Sequence, residues 1–514
     1  MNKDKFMLGV DIGTTSTKAV LYRETGEIIT DENNGYALST PDISTAEQDP
    51  EEIFQAVLLS IRNVMTKAKI APNDLSFISF SSAMHSLIAM DENDQPLTQC
   101  ITWADNRSVH WATKIKEELS GHAVYLKTGT PIHPMSPLCK IAWLEQDKPE
   151  IAKKTKKYIG IKEYVFHKLF GEYVVDHSIA SAMGLMNLEA LTWDQQALEV
   201  AGITKDKLSR LVSTKEIMTG CRAIFAEEMG IRTDTPFVIG ASDGVLSNIG
   251  VNASKKGEVA VTIGTSGAIR TVIPKPHTDD KGRIFCYALT EDHWVIGGPV
   301  NNGGMVLRWI RDEFAASEVE TAKRLGVDPY EVLTRIADRV EPGANGLLFH
   351  PFLAGERAPL WNADVRGSFI GLTLNHKKEH MVRAALEGVI FNLYSVFLAL
   401  TEVMDTPVTA IKATGGFARS EVWRQMMADI FDQDVIIPES YESSCLGACL
   451  LGLYAQEKID SFDVVEDLVG ATHKHEPNQE HVQAYRDLMP IFISISRVLE
   501  TEYGKLASYQ ETNA

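Results

Sequence analysis

An acidic residue and a run of hydroxyls follow an apolar segment close to the start of the chain. Residues 9–22 read GVDIGTTSTKAVLY, with Asp11 ending the apolar run and Thr14, Thr15 and Ser16 following a glycine. A carboxylate at the end of a buried strand is costly to desolvate unless a partner or a metal ion compensates it. Backbone N–H groups in a glycine-containing turn, with hydroxyls beside them, can hold phosphate oxygens. The segment fits a phosphate-binding hairpin, and it also fits a hairpin whose turn is simply polar.

The same pattern returns about half the chain later. Residues 258–273 read EVAVTIGTSGAIRTVI, again an apolar strand, an Ile-Gly-Thr turn and a β-prone strand. Two such turns facing each other would hold the phosphates of a nucleotide. The repeat therefore predicts two lobes of similar build and favours the phosphate-binding interpretation.

A third candidate segment, IKATGGFARS (411–420), reads as a strand, a Gly-Gly turn and a helix opened by Ser420. Gly415 and Gly416 would let a flat ring approach the backbone. Alone this is an ordinary strand-to-helix turn, but beside two phosphate hairpins it predicts an adenosine site. The chain contains no GxxxxGK[ST] loop and no GxG, which excludes the P-loop and the dinucleotide fingerprint.

The best candidate for a catalytic base is Asp243, in TPFVIGASDGVLSNIGV (235–251). An apolar strand ends just before it, and ligands of open α/β sheets gather at the carboxyl ends of strands. Phosphoryl transfer needs a base for the acceptor hydroxyl. The alternative is that Asp243 only caps the helix that follows.

Two further stretches predict a polyol pocket. His85 ends a buried strand in SSAMHSLIAMD (81–91), and ITWADNRS (101–108) offers Trp103, Asp105 and Arg107. Aromatic faces and paired polar groups suit polyol recognition. Taken singly, His85 and Trp103 could be core residues and Asp105 a helix cap. HKKEH (376–380) matches a zinc peptidase pattern, but its surroundings favour the polar first turn of a long helix.

Strands and helices alternate along the whole chain, which predicts an α/β fold. At 514 residues it is too long for one core, and the polar stretch NASKKG (252–257) is the predicted seam between residues 1–253 and 254–514. A formal charge of −19 argues against nucleic acid or an anionic membrane as a partner. No run of 18 apolar residues and no apolar leader is found, so we expect a cytoplasmic protein that does not span a membrane. The six scattered cysteines are predicted to be buried thiols.

Together these segments resemble the FGGY carbohydrate kinases, a branch of the actin/hexokinase/Hsp70 ATPase superfamily. The resemblance covers residues 6–460 and is carried by LGVDIGTTSTKAVL, MSPLCKIAWL, GASDG, TIGTSGA, PFLAGERAPLWNADVRGSFIGL and ATGGFARS. It implies two ribonuclease H-like α/β lobes with a cleft between them. Residues 1–253 would carry the sugar side, the first phosphate hairpin and the catalytic Asp, and residues 254–514 the second hairpin and the adenosine site.

Within the family, YALSTPDISTAEQDPEEIF, TWADNRS and GTPIHPMSP are most similar to the members that phosphorylate gluconate. The resemblance then implies conversion of D-gluconate to 6-phospho-D-gluconate with ATP and Mg²⁺. The alternative is another sugar kinase of the family, such as one acting on xylulose. Gluconate carries a carboxylate, for which Arg107 or Lys140 could supply the cation. The implied partners are the sugar acid and ATP, and the family makes a homodimer plausible.

The resemblance also implies roles for individual residues. Asp11 and Asp243 would lie at the metal, with Asp243 also acting as base and contacting the sugar. His85, Trp103, Asp105 and Arg107 would lie on the sugar side. The implied nucleotide contacts are Thr14, Thr15, Ser16, Lys18, Thr265, Gly304, Arg308, Gly415, Gly416, Phe417 and Ser420.

Overall fold

The computed structural model describes residues 5–42, 44–438 and 443–513, in which strands alternate with helices. This alternation confirms the predicted α/β class. The strands are β1 (Phe6–Ile12), β2 (Ser16–Arg23), β3 (Ile28–Gly35), β4 (Glu47–Gln48), β5 (Leu75–Ser82), β6 (Ile88–Met90), β7 (Cys100–Ile101), β8 (Lys157–Ile159), β9 (Val174–Asp176), β10 (Met186–Asn187), β11 (Thr192–Trp193), β12 (Arg210–Val212), β13 (Ile217–Met218), β14 (Phe237–Ser242), β15 (Glu258–Ile263), β16 (Gly267–Ile273), β17 (Phe285–Ala288), β18 (Trp294–Val300), β19 (Leu348–His350), β20 (Ser368–Ile370), β21 (Ala410–Thr414), β22 (Val435–Pro438) and β23 (Ala471–His475).

The helices are α1 (Pro50–Ala68), α2 (Val109–Glu118), α3 (Gly121–Thr128), α4 (Pro137–Asp147), α5 (Pro149–Ala152), α6 (Ile161–Phe170), α7 (His177–Ala182), α8 (Gln195–Ala201), α9 (Ala223–Met229), α10 (Asp243–Gly250), α11 (Gly304–Phe314), α12 (Ala316–Leu325), α13 (Pro329–Ala337), α14 (Lys378–Val403), α15 (Glu421–Phe431), α16 (Ser443–Ala455), α17 (Val465–Leu468) and α18 (Gln479–Asn513).

The described residues divide into two compact units. Unit 1 comprises residues 5–254, 272–295 and 443–469, and unit 2 comprises residues 255–271, 296–438 and 470–513. The first passage between units, from Ser254 to Lys255, falls inside the seam NASKKG. The chain later returns to unit 1 twice, so each unit is assembled from three stretches of sequence.

Unit 1 is built on a six-stranded sheet with the order β13-β14-β5-β1-β2-β3. β2 is antiparallel to both β1 and β3, whereas β5 is parallel to β1 and to β14. The strands β1, β5 and β14 therefore end at the same edge of the sheet. In open α/β sheets this is the edge where ligands bind.

The sheet of unit 2 repeats this arrangement. From β18 onwards its order is β18-β16-β15-β21-β22-β23. β15 is antiparallel to β16 and parallel to β21, β22 is parallel to β21, and β23 is antiparallel to β22. β15, β21 and β22 thus correspond to β1, β5 and β14. The prediction of two regions of similar build, made from a short Ile-Gly-Thr match, is confirmed by this shared strand order.

The helix α1 shows how the sequence builds the covering layer of unit 1. It begins at Pro50, and the Asp49 side chain caps it by accepting a 2.8 Å hydrogen bond from the Glu51 amide. Its apolar face is fully or almost fully buried in one cluster with residues of β1 and β5. That face consists of Ile53, Phe54, Val57, Leu58 and Ile61.

In the described part of the chain one helix, α14, is long and apolar enough to cross a membrane by length and composition. Arg383 and Glu387 interrupt its apolar sequence and form a buried ion pair at 2.7 Å, so the helix contains no unbroken run of 18 apolar residues. Within its most apolar window, 78% of the helix is buried inside the protein. α14 therefore packs as a core helix of unit 2.

Candidate active site

The shared carboxyl-end edge of the unit 1 sheet carries both candidate acids. Asp11 pairs with Ser81 in the β1–β5 register, and the Ser81 hydroxyl donates a 2.7 Å hydrogen bond to Asp11 Oδ1. On the other side of β5, Ala241 of β14 also pairs with Ser81, and Asp243 follows two residues later. Neighbouring strands lie about 4.8 Å apart, so the β1 and β14 backbones are separated by about 10 Å. Sheet order thus brings together two acids that lie far apart in sequence.

The turn between β1 and β2 is closed by a 3.0 Å hydrogen bond from the Gly13 amide to the Ser16 carbonyl. The Trp103 indole donates to the Thr14 hydroxyl at 2.9 Å, and the Gln48 amide donates to the Thr14 carbonyl at 2.6 Å. Thr15 at the tip is exposed, and Lys18 on β2 forms a 3.7 Å ion pair with Asp31. The first predicted phosphate turn is therefore joined directly to Trp103 of the predicted sugar side. No local sequence pattern predicts that contact.

Asp243 is the first residue of α10, and the N-cap is Ser242. The Asp243 side chain accepts a 2.6 Å hydrogen bond from the next amide, that of Gly244. A capping side chain accepts from the amide two or three residues further on, so this contact is not a cap. The alternative interpretation of Asp243 as a helix cap is wrong. Its side chain is half-buried at the end of β14.

Asp105 and Arg107 form one buried network rather than separate sites. Asp105 is 1% exposed and accepts hydrogen bonds from the Ala46 amide at 3.0 Å and from Arg107 Nε at 2.9 Å. The N-cap position of the helix that follows is Ser108, so Asp105 does not occupy it. Arg107 also donates to Glu47 at 2.5 Å and lies 4.9 Å over the Trp143 ring. Glu47 escaped the sequence analysis because a lone Glu before a helix carries no pattern.

His85 and Lys140 are connected through the backbone. His85 has a left-handed backbone (φ 68°), and its Nδ1 lies 2.9 Å from the Ala182 carbonyl. Lys140 is fully buried and donates to the carbonyls of His85 and Thr102, each at 2.7 Å. Burial lowers the pKa of Lys140 to about 7, against the opposing effect of Asp105. Lys140 therefore holds the backbone beside His85 and Trp103 and presents no exposed charge to a carboxylate.

In unit 2 the turn between β15 and β16 lies against the start of α11. The Gly264 amide donates to the Ser266 carbonyl at 2.9 Å, and the Gly304 amide donates to the Gly264 carbonyl at 2.7 Å. A Cβ at Gly304 would lie 2.7 Å from that same carbonyl oxygen, so only glycine fits. Thr265 at the tip is exposed. The amides of Gly303, Gly304 and Met305 all donate to carbonyls of this turn, so the start of α11 fixes the shape of the turn.

The Gly-Gly turn after β21 lies beside the end of β15. Gly415 has φ 103°, and a Cβ there would lie 2.3 Å from the Ile263 carbonyl oxygen, whereas a Cβ at Gly416 would meet nothing within 4 Å. Phe417 is buried, and Ser420 caps α15 by accepting from the Trp423 amide at 3.2 Å, as predicted. The backbone at Gly416 is therefore open on one side. Arg308, on α11, is exposed.

The predicted long helix is α14, which begins at Lys378, so HKKEH spans its first turn and the two residues before it. Each of its histidines bonds to a nearby amide through Nδ1, and both contact Asn345 through Nε2. His376 Nδ1 accepts from the Thr373 amide at 2.9 Å, and His380 Nδ1 accepts from the Lys377 amide at 3.2 Å. The six cysteines are all buried and free, as predicted.

No group of three or more His, Cys, Asp or Glu side chains in residues 5–42, 44–438 and 443–513 is arranged to hold a metal ion. Mg²⁺ needs no such group, because it keeps several waters and binds through one or two carboxylates and substrate phosphates. A half-buried Asp11 beside a phosphate turn provides that donor set. The residues at this edge therefore fit a magnesium–nucleotide complex.

Two family models match the chain. Residues 6–250 match the N-terminal domain, and residues 259–456 the C-terminal domain, of the FGGY family of carbohydrate kinases. This chain belongs to the FGGY family of carbohydrate kinases. The family's fold, that of the actin/hexokinase/Hsp70 ATPase superfamily, agrees with the two related sheets.

Individual members of the FGGY family are similar over nearly the whole length. A gluconokinase of Bacillus licheniformis is 71% identical over 507 residues, which are 99% of this chain and 98% of that protein. The crystal structure of a gluconate kinase from Lactobacillus acidophilus matches with a TM-score of 0.92 and 38% identity, covering 98% of this chain and 99% of that one. A ligand-bound xylulose kinase from the same organism matches with a TM-score of 0.92 and 37% identity, covering 98% of this chain and 100% of that one.

Proposed function

We propose that this protein transfers the γ-phosphoryl group of ATP to D-gluconate and forms 6-phospho-D-gluconate and ADP. The observation that carries the proposal is the 71% identity to a gluconokinase over 99% of the chain. Xylulose phosphorylation is the second candidate, because a xylulose kinase structure is as similar in fold as the gluconate kinase structure.

In this proposal Asp243 accepts the proton of the 6-hydroxyl as that oxygen attacks the γ-phosphorus. Its place at the carboxyl end of β14 and its half-exposed side chain support the role. General-base catalysis requires the carboxylate to reach the reacting hydroxyl directly or through one water. His85, Trp103 and Arg107 bind and orient the sugar acid, and the buried Asp105 holds Arg107 in place.

We assign the gluconate carboxylate to Arg107. The Arg107 side chain is 24% exposed, whereas Lys140, the other candidate cation, is fully buried and already donates to two carbonyls. Asp105 and Glu47 fix the guanidinium in place, which lowers the entropy cost of using its remaining donors. Lys140 supports the site from beneath and does not touch the substrate.

The nucleotide is proposed to bind through both phosphate turns. Thr14, Thr15, Ser16 and Lys18 contribute from unit 1, and Thr265 and Gly304 from unit 2. Gly415, Gly416, Phe417 and Ser420 surround the adenosine, with Arg308 at its border. Asp11 and Asp243 hold Mg²⁺, which when bound neutralises charge on the phosphates. Residues 1–253 and 254–514 are proposed as the two functional lobes, in a cytoplasmic enzyme that forms a homodimer.

The test is an ADP-release assay across gluconate, xylulose, glycerol and the neutral polyol glucitol, with Mg²⁺ present. We expect the highest kcat/KM for gluconate and a phosphorylated product identified as the 6-phosphate by NMR. Glucitol separates recognition of the carboxylate from recognition of the polyol chain, and Arg107→Met should reduce the preference for gluconate over glucitol. A higher kcat/KM for xylulose would overturn the assignment in favour of the second candidate.

A further inference from the structure

A buried ion pair lies behind the β14–α10 turn and has no role in the mechanism above. Lys162 on α6 and Asp176 at the end of β9 lie 2.7 Å apart, with side chains 3% and 0% exposed. Desolvating two charges can cost more than their attraction returns, and well-packed apolar residues often serve stability equally well. A contribution to the stability of the fold is therefore not enough to explain why an ion pair is buried here.

The pair converges on a single peptide bond. Lys162 Nζ donates to the Ala241 carbonyl at 3.2 Å. The Ser242 amide, which is the other polar group of the same peptide, donates to the Ser178 hydroxyl at 3.1 Å. Both ends of the Ala241–Ser242 peptide are thus held by side chains from the α6–α7 region.

Asp176 links the two contacts. One of its oxygens pairs with Lys162, and the other accepts a 3.0 Å hydrogen bond from the Ile179 amide and so caps α7, the helix that carries Ser178. Ser178 also donates to the Ser242 hydroxyl at 3.1 Å, and its own side chain is fully buried. The next residue after the held peptide is Asp243.

We propose that Lys162, Asp176 and Ser178 are positioning residues that fix the Ala241–Ser242 peptide and thereby aim the Asp243 carboxylate at the acceptor hydroxyl. The inference rests on the proposed role of Asp243. None of the three residues touches substrate in this proposal. Their removal should therefore affect turnover and leave substrate binding largely intact, since small misplacements of a reacting group are costly in rate.

The first test is the double variant Lys162→Met/Asp176→Asn, which removes both charges, leaves no unpaired buried ion and keeps a capping side chain on α7. We expect kcat to fall about tenfold or more, with KM for gluconate and for ATP changed by less than about threefold. Ser178→Ala is the smaller second variant and should lower kcat in the same selective way. Ser178→Thr, which keeps the hydroxyl, should recover most of the lost turnover.

The matched control is Arg383→Met/Glu387→Gln, which removes another buried ion pair, in α14 of unit 2. It should lower the melting temperature and leave kcat near that of the wild type. A folded Ser178→Ala protein with normal kcat would overturn the inference, and so would an equal loss of kcat in the control. If Asp243→Asn is itself fully active, the proposed function of Asp243 has failed; if Asp243→Asn is inactive and Ser178→Ala is normal, only the positioning inference has failed.

Discussion

The two units place different side chains at equivalent positions of two similarly ordered sheets. In unit 1, Asp11 pairs with Ser81, and the Ser81 hydroxyl donates to its carboxylate at 2.7 Å. In unit 2, Thr262 pairs with Thr414, and their hydroxyls lie 3.1 Å apart. Each acid or hydroxyl directly precedes an Ile-Gly-Thr turn. The repeated strand arrangement therefore carries a carboxyl group bonded to a hydroxyl in unit 1 and two hydroxyls in unit 2.

The turns themselves differ in what surrounds them. Trp103 and Gln48 contact Thr14 in the first turn through their side chains, whereas backbone amides at the start of α11 contact the second turn. In the first turn the Gly13 amide bonds to the carbonyl three residues later, that of Ser16. In the second turn the Gly264 amide bonds to the carbonyl two residues later, that of Ser266, so the first turn is one residue longer. In the proposed mechanism unit 1 contributes the phosphate, metal and acceptor functions, and unit 2 contributes the second turn and the glycines beside the adenosine.

Asp243→Asn tests most strongly whether catalysis belongs to unit 1. Asparagine keeps the shape and a hydrogen-bonding oxygen but cannot accept the proton, so kcat should fall by about 10² to 10⁴. Gluconate affinity and melting temperature should change little, because Ser242 holds the cap position. Measuring kcat together with both properties checks this, and near-normal turnover in the folded variant would remove Asp243 from the mechanism.

The Asp11–Thr262 pair tests the asymmetry of the two sheets directly. Asp11→Asn should reduce activity by about 10- to 100-fold and raise the Mg²⁺ concentration needed for half-maximal rate, as expected for a group at a metal. Thr262→Val, at the matching position, should change the rate by less than about threefold because it removes only a neutral hydroxyl. Magnesium titrations of both variants after treatment with a chelator measure this. Equal losses in the two variants would contradict the division of roles.

The adjacent glycines Gly415 and Gly416 of unit 2 should respond differently to substitution by alanine. At Gly416 an added methyl meets nothing within 4 Å, so Gly416→Ala should keep its stability and raise KM for ATP several-fold through contact with the bound ring. Gly415→Ala should lower the melting temperature, because φ is 103° and the Ile263 carbonyl is too close. KM for gluconate should stay unchanged in Gly416→Ala, and a rise in that value would break the assignment of unit 2 to ATP.

The smallest effect concerns a buried acid beside Lys162. Burial raises the pKa of Glu163 from 4.5 to about 8, against hydrogen bonds from Ser209 and Gly160 that lower it. Between pH 4.5 and about pH 8 the Glu163 carboxyl therefore stays protonated in the folded protein and loses its proton in the unfolded chain. The stability of the fold is lost progressively as the pH rises through this range. Glu163→Gln should remove that part of the dependence. Melting curves at about pH 5 and pH 9 should show a smaller drop for the variant than for the wild type, and parallel drops would contradict it.

Local patterns predicted several elements well. Ser420 marked the start of α15, and the two Ile-Gly-Thr turns marked the repeated hairpins. These predictions succeeded because caps, turns and apolar periodicity depend on residues a few positions apart. The same reasoning left a helix cap open as an alternative for Asp243, since an Asp before an apolar helix is a common cap.

The sequence by itself determined the α/β class, the repeated hairpins, the strand-end position of Asp243 and, through its motifs, the kinase family. Only the tertiary structure decided that Asp11 and Asp243 share one sheet edge, that Trp103 bonds Thr14, and that Lys140 is fully buried. It also brought Lys162 and Ser178 to the two ends of one peptide. The physical reason is that strand order and helix packing join segments that lie far apart in the chain, and no local pattern of charge or hydrophobicity encodes which of them will meet.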